Sequence, residues 1–139
     1  MVNNIYILNK IYKKMKKIMP QEIEVWYVIP ALRRELAKSF VKDHKMSQKK
    51  AAEMLGITEA AISQYLKDKR GGELKFKKIE LDEIKKAASK VAKNPEDMME
   101  VLYGLCVYFR NEKVICRMHK CKDKTLPKNC SACSLCQKN

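Results

Sequence analysis

Apolar residues in the middle of the chain recur at the spacing of amphipathic helices. Leu32, Leu36 and Phe40 follow one another at four-residue steps, and the charged residues mostly fall on the other face. Helix start and stop residues set the limits of further segments. The predicted helices are Pro30 to about Asp43, Gln48 to Leu55, a helix capped by Thr58 that runs to about Lys67, Leu81 to Ala92, and roughly Pro95 to Arg110. The pattern therefore predicts an all-α fold.

The stretch before the first of these helices has a different character. Glu22 to Ile29 is rich in strand-forming residues, and Pro30 follows, where its missing N–H costs nothing in the first turn of a helix. We expect Trp26 and Tyr27 to pack against that helix, with an exposed aromatic at an interface as the less favoured alternative.

Three regions follow from these patterns. Residues 1–21 are a basic N-terminal extension, residues 22–93 hold a helical domain with the motif described next, and residues 94–139 hold an apolar helix and a cysteine-rich tail. The extension is compatible with a DNA-contacting arm, with a surface amphipathic helix, or with a misassigned start; we favour the last two. The apolar helix, roughly Pro95 to Arg110, is either a buried core helix or part of a dimer interface.

The stretch Ser47 to Lys67 meets the spacing rules of a helix-turn-helix. Ala52 is small enough to stand where two helices cross, and Gly56 follows four residues later, where the backbone must adopt a left-handed conformation. Ile57 and Ile62 supply the aliphatic residues that fill the space between the helices. An ordinary helical hairpin meets all these constraints only by coincidence, so the spacing predicts a helix-turn-helix.

The charge balance favours a polyanionic partner. The chain carries 30 Lys and Arg against 16 Asp and Glu, a net charge of +14. Each phosphate that a basic side chain neutralises releases counterions, which favours binding to nucleic acid. Charge alone does not separate DNA from RNA or from an anionic membrane surface. No apolar run of roughly 18 residues occurs, so we expect no membrane span.

The Ser47 to Lys67 motif resembles the Cro and phage-repressor family of DNA-binding domains. The stretch Ile29-Pro30-Ala31-Leu32-Arg33-Arg34-Glu35, together with the cysteine-bearing tail, resembles a subgroup of predicted archaeal-type transcriptional regulators. This resemblance covers about Met19 to Cys133, and it implies that residues 22–93 are a helix-turn-helix DNA-binding domain. It implies a cytoplasmic regulator that binds double-stranded DNA, commonly as a homodimer on a palindromic site.

The resemblance also implies which residues meet the DNA. Gln48 would bind a backbone phosphate, Lys67 would contact the far backbone, and Lys69 and Arg70 lie in a loop where they would touch flanking phosphates. Glu59 replaces a glutamine common in phage repressors; a carboxylate accepts from a cytosine amine but cannot bond adenine bidentately. The predicted DNA-binding residues are Ser47, Gln48, Thr58, Glu59, Ala60, Ser63, Gln64, Lys67, Lys69 and Arg70.

All six cysteines lie after residue 105, and three of them form a doubled C-x-x-C. Such spacing lets thiolates converge on one ion or cluster with little backbone strain, and cysteines confined to one tail favour metal over disulfides. His119 lies among them and could ligate zinc, but because it is a lone histidine beside Lys120 we expect it at the surface. The predicted ligands are Cys106, Cys116, Cys130 and Cys133, with Cys121 and Cys136 as reserves.

Two cofactors fit these ligands, and the sequence leaves the choice open. Structural zinc would clamp a tail whose apolar residues are too sparse to fold alone. An iron–sulfur cluster of the 4Fe–4S type would instead make the tail a sensor that acts on the DNA-binding part.

The sequence as a whole predicts a DNA-binding transcriptional regulator with a metal-binding tail. One alternative is an RNA-associated basic protein with a zinc-stabilised tail, although RNA readers usually expose stacking aromatic residues. A less favoured alternative is a thiol–disulfide redox protein that uses Cys130 and Cys133. Because the chain has no phosphate loop and no Ser/His/Asp set, we do not expect an enzyme.

Overall fold

The computed structural model describes residues 18–122, and every element in this range is helical. The all-α prediction is confirmed for these residues, whereas two of the predicted metal ligands, Cys130 and Cys133, lie beyond them. The segments are, in chain order, α1 (Pro20–Ile23), a π-helical turn (Glu24–Val28), α2 (Ile29–Lys38), a second π-helical turn (Ser39–Asp43), α3 (Gln48–Leu55), α4 (Glu59–Leu66), α5 (Lys78–Lys93), a 3-10 turn (Pro95–Asp97), α6 (Met98–Asn111) and α7 (Val114–Lys122).

The first four segments form one unbroken helical rod, so the prediction of a strand-like stretch ending at Pro30 is wrong. Pro30 lies inside the rod, where it lacks an N–H and its ring crowds the preceding turn. The turn just before it is π-helical, with the N–H of Ile29 bonded to the carbonyl of Glu24 five residues earlier. This wider turn makes room for the proline. The strand-forming residues Ile23 and Val28 are helical because both are fully buried against the rest of the protein.

The environment of the aromatic pair in this rod differs from the prediction in part. Trp26 is 48% exposed, so the expected core position is wrong for this residue. Tyr27 is half-buried against the core, and the ammonium of Lys122 lies 4.9 Å from the centre of its ring.

The rod lies at the centre of the core. Its α2 segment packs against α3, α4, α5 and α6, and the side chains of Leu32, Leu36 and Phe40 are fully buried, as their spacing predicts. Ile62 from α4 and Ile84 from α5 are buried in the same cluster. Burying an aliphatic side chain of this size contributes roughly 1.5–3 kcal/mol, so α2 carries much of the stabilising energy of the fold.

The last two helices return to the beginning of the rod. Arg110 on α6 binds the carboxylate of Glu24 at 3.1 Å, and Arg117 on α7 binds Glu80 of α5 with two bonds of 2.8 and 2.9 Å. His119 is buried, and its Nε2 lies 2.6 Å from the carbonyl oxygen of Ile18. The expected surface position of His119 is therefore wrong. Residues 98–118 contribute to the same core as the helix-turn-helix.

The helices predicted to begin at Gln48 and after the Thr58 cap begin there. The helix predicted from Leu81 begins three residues earlier, at Lys78, and the helix predicted from Pro95 becomes an α-helix only at Met98. Asn94, expected as a cap for the helix that begins at Pro95, makes no side-chain capping bond. The 3-10 turn Pro95–Asp97 separates it from α6, and the N–H of Asp97 bonds to the Asn94 backbone carbonyl instead.

The loop after α4 lies tightly against α2. Asp68 and Gly71 have left-handed backbones, with φ of 58° and 72°. A Cβ atom on Gly71 would stand 2.5 Å from the carbonyl oxygen of Pro30 and 3.2 Å from Cβ of Arg34. Only glycine permits both this backbone conformation and this close approach.

Gly71→Ala is expected to destabilise the protein by at least about 1–2 kcal/mol, because it combines left-handed strain with a backbone clash. Urea unfolding followed by circular dichroism measures this change. Gly72→Ala is the matched control, since a Cβ there meets only the Asp68 carbonyl oxygen at 3.6 Å. Equal unfolding midpoints for the two variants would contradict the tight contact at Gly71.

Candidate nucleic-acid interface

Both helices of the predicted motif begin at side-chain caps. The Ser47 hydroxyl oxygen accepts the N–H of Lys50 at 3.1 Å, and the Thr58 hydroxyl oxygen accepts the N–H of Ala61 at 3.1 Å. The cap predicted at Thr58 is confirmed. Because each oxygen accepts, each hydroxyl still has its proton to donate to a phosphate oxygen.

The turn between the helices has the predicted geometry. Gly56 ends α3 with φ +66°, and the N–H of Ile57 bonds to the carbonyl of Ala52 at 3.0 Å. Ala52 and Ile62 are buried and Ile57 is half-buried, so the inner faces of α3 and α4 meet as the spacing predicts.

The outer face of the motif carries the predicted DNA-binding residues. Ser63 is half-buried and the other nine are exposed: Ser47, Gln48, Thr58, Glu59, Ala60, Gln64, Lys67, Lys69 and Arg70. The positions needed for contact with a nucleic acid are thus open on one continuous motif. Contact itself stays a prediction for each of them.

Two basic residues on this surface were not among the predicted contacts. Lys49 and Lys50 are exposed in the first turn of α3, directly after Gln48. The run Ser47-Gln48-Lys49-Lys50 was visible in the sequence, and its position at a capped helix start was the signal that would have added them. They raise the positive charge beside the predicted phosphate contact of Gln48.

Arg70 is positioned by an aromatic side chain. Its guanidinium carbon lies 5.8 Å from the ring centre of Tyr65, which is buried in α4. Nearby, the N–H of Lys69 bonds to the carbonyl of Gln64 at 2.9 Å. The loop residues expected to contact phosphate are therefore tied to the helix expected to contact bases.

An ion cluster attaches the same loop to the rod. The Asp68 carboxylate accepts from Arg34 Nε at 2.8 Å and from Lys38 Nζ at 2.8 Å. These hydrogen bonds, from Lys38 and then Arg34, lower the pKa of Asp68 to about 2. The carboxylate thus stays ionised at neutral pH and holds the end of α4 to α2. Sequence reasoning missed this cluster because its members are far apart in the chain.

The cysteines in the described region fall into two groups. Cys106 on α6 and Cys116 on α7 are buried, whereas Cys121, in the last turn of α7, is exposed. Burial, together with the nearby Glu24 carboxylate, raises the pKa of the Cys106 thiol to about 11. Cys130, Cys133 and Cys136 lie outside the described residues.

Residues 18–122 bring no three potential metal-ligating side chains together. The predicted zinc or iron–sulfur site therefore stays a prediction, and it depends on residues beyond this range.

Comparison with known proteins identifies the motif. A family model described as helix-turn-helix matches residues 38–71, which hold the end of the rod, α3, α4 and the loop attached to α2. The predicted helix-turn-helix, a class of DNA-binding motif, is confirmed for this segment. Neither the curated proteins nor the solved structures give a match to the chain. Within residues 18–122, no helix has both the length and the apolar character that crossing a bilayer demands.

Asp68→Asn is expected to lower the stability of the protein at neutral pH. A carboxylate whose pKa is lowered on folding stabilises the folded state above its unfolded pKa, here 3.8, and loses that effect as the pH falls towards about 2. The gap in melting temperature between wild type and variant is therefore full above about pH 5 and shrinks towards pH 2. Asp82→Asn, on the exposed side of α5, removes the same charge as a control. A gap that does not change with pH would count against the cluster.

Proposed function

We propose that the protein is a sequence-specific DNA-binding transcriptional regulator acting in the cytoplasm, with α4 in the major groove of double-stranded DNA. The observation that supports this most is the geometry of α3 and α4: two capped helices, a left-handed glycine between them and an apolar inner face. In helix-turn-helix proteins this arrangement presents the N-terminal residues of the second helix to base edges. Here those residues include Glu59, Ala60 and Gln64, which are exposed.

The contacts divide by chemistry into two sets. Glu59, Ser63 and Gln64 are the base-contacting set, since their side chains supply the acceptors and donors that base edges recognise. Gln48, Lys67, Lys69 and Arg70 form the phosphate-contacting set, which fixes the position of the protein without carrying sequence information.

Two features of the structure order part of the phosphate-contacting set in advance. The Arg70 guanidinium is held over Tyr65, so its side chain is partly ordered before DNA arrives. The Asp68 cluster holds the loop that carries Lys69 and Arg70 against α2. An interface ordered in advance loses less conformational entropy on binding, which favours affinity.

The variants Gln64→Ala and Ser63→Ala are expected to lose preference for the cognate site and to retain non-specific binding. The cognate duplex is first selected from a random library with the wild-type protein, and affinities for selected and random duplexes are then compared. Loss of one bidentate base contact costs about 1–3 kcal/mol of discrimination. Equal weakening on both duplexes would contradict base contact by these residues.

The phosphate set provides the control for this experiment. Lys69→Ala should weaken binding to both duplexes alike and reduce the slope of log affinity against log salt by about one. Lys120→Ala removes the same charge from the exposed face of α7, outside the motif, and should change neither quantity appreciably. Tighter binding of the wild type to a hairpin RNA than to the selected duplex would favour the RNA-associated alternative.

We also propose that the regulator is a homodimer joined through α6. One face of this helix is buried in the monomer, while Met99 and Tyr103, one turn apart, are 77% and 68% exposed. Gly104 lies beside them, and a Cβ atom there would meet nothing within 4 Å. A mid-helix glycine costs roughly 1 kcal/mol relative to alanine and here has no packing reason within one chain. A second α6 approaching closely supplies that reason.

Tyr103→Glu is expected to shift the protein from dimer to monomer, because it places two like charges in a desolvated contact. Light scattering after gel filtration measures the mass directly. Ile79→Glu is the matched control, since Ile79 on α5 is equally exposed at 68% but lies on another helix. A wild type that is monomeric at micromolar concentration, with and without the selected duplex, would contradict the dimer.

A further inference from the structure

A cleft of about 190 Å³ lies between the rod and α5. One wall comes from α2 and the second π-helical turn, and the other wall comes from α5. A cavity of about 150 Å³ is large enough for a benzene-sized molecule, so the volume suits a small ligand. None of the predicted DNA-binding residues lines this cleft, so a ligand bound there would not compete with DNA for the same side chains.

The wall formed by the rod carries charges of both signs in two neighbouring rows. Glu35, Ser39 and Asp43 follow one another at four-residue steps, and Lys38 and Lys42 form a second row beside them. The Ser39 hydroxyl donates to Asp43 Oδ2 at 3.1 Å, so the acidic row continues through the π-helical turn. This wall therefore offers carboxylates to a cation and ammonium groups to an anion, side by side.

Charged groups of both signs in the lining retain binding capacity. Glu35 Oε1 and Asp43 Oδ2 each accept one hydrogen bond, and the second oxygen of each carboxylate has no hydrogen bond to another residue in the range 18–122. Lys42 and Lys85 are exposed, and neither makes a hydrogen bond or an ion pair with any residue that the structure describes. A ligand with both a cationic and an anionic group would use both kinds of free capacity.

The wall formed by α5 adds apolar surface to the cleft. Leu81 is half-buried, Ile84 is buried, and Lys85 follows them on the same helix. A carbon skeleton packed against this wall would remove apolar surface from water. A dianion without carbon, such as inorganic phosphate, fits less well, because Glu35 and Asp43 would repel its second charge.

We propose that this cleft binds a small zwitterionic α-amino acid with an apolar side chain. The carboxylate of the ligand binds Lys42 and Lys85, and its ammonium group binds Glu35 and Asp43. Its side chain packs against Leu81. Each of the three groups of such a ligand thus meets a lining of matching chemistry.

Lys38 connects the cleft with the candidate interface. It lines the cleft, and its Nζ donates to Asp68 Oδ1 at 2.8 Å, in the loop that carries Lys69 and Arg70. A ligand carboxylate competes with Asp68 for this ammonium group, so ligand binding should loosen the loop and weaken DNA binding. This coupling rests on the proposed DNA binding, whereas binding of the amino acid does not.

The first test is an NMR titration of the full-length protein with L-leucine. Saturable shifts of the Leu81 and Ile84 methyl signals are expected, with a dissociation constant of about 1 mM or below for so small a ligand. 4-Methylpentanoate lacks the ammonium group and 3-methylbutylamine lacks the carboxylate, so each should bind at least about tenfold more weakly. The absence of saturable leucine binding, or equally tight binding of 4-methylpentanoate, overturns the proposal.

Variants of exposed residues decide which side chains bind the ligand. Lys42→Ala and Lys85→Ala should each lower leucine affinity by about tenfold, since each removes a charged partner of the carboxylate. Lys90→Ala removes the same charge from an exposed position of α5 outside the cleft and is the matched control. Asp43→Asn should weaken binding of leucine but not of 4-methylpentanoate, which has no ammonium group. Wild-type leucine affinity in Lys85→Ala, or equal weakening of both ligands in Asp43→Asn, overturns the assignment.

The second test measures affinity for the selected duplex with and without saturating leucine. Leucine should weaken DNA binding by at least about fivefold in the wild type and should have no effect on Lys85→Ala at the same concentration. Unchanged DNA affinity of the wild type with leucine bound overturns the coupling through Lys38. A protein that binds leucine but no duplex contradicts the proposed function and supports the ligand site, so the two failures are distinguishable.

Discussion

The contact between α2 and the loop after α4 is the constraint on which the candidate interface depends. The Asp68 carboxylate binds Arg34 and Lys38, and Gly71 lies against the carbonyl of Pro30. An ionic contact and a close backbone contact therefore hold the same loop against α2. The α4 helix is eight residues long, too short to be stable alone. Its stability comes from the buried face it shares with α2 and from this fixed end. The geometry offered to DNA is thus set largely by a helix outside the helix-turn-helix.

The rod also joins that motif to the C-terminal helices. Its first part holds Glu24, which binds Arg110 of α6, and its middle part holds Arg34, which binds Asp68. Pro30 lies between Glu24 and Arg34 in the rod. The π-helical turn comes just before it, and Gly71 packs closely against its carbonyl oxygen. A displacement of α6 or α7 would therefore act on the same helix that positions α4.

Local signals in the sequence were sufficient to predict the helix-turn-helix. They were insufficient to predict the rod and the ion pairs that hold the motif in place. Gly56 and Thr58 were predictable because a left-handed turn and a helix cap each demand particular residue types. The rod before Pro30 was not, because tertiary burial of Ile23 and Val28 outweighed their preference for strands. Ion pairs such as Arg117–Glu80 join residues distant in sequence, and no periodicity reveals them. The buried position of His119 was likewise hidden, since its partner is a backbone carbonyl at Ile18.

The middle and the end of α7 are held by ion pairs of different exposure. At its middle, Arg117 binds a Glu80 side chain that is 5% exposed. Burial by itself would raise the pKa of Glu80, but hydrogen bonds and charge interactions with Arg117 and Lys77 together outweigh burial and lower it. At its end, Lys122 binds a Glu73 side chain that is 62% exposed. Dissolved salt weakens exposed ion pairs and affects buried ones much less. Salt therefore has two effects on this protein. It competes for the phosphates that Lys67, Lys69 and Arg70 would bind, and it weakens the ion pair at the end of α7 more than the pair at its middle.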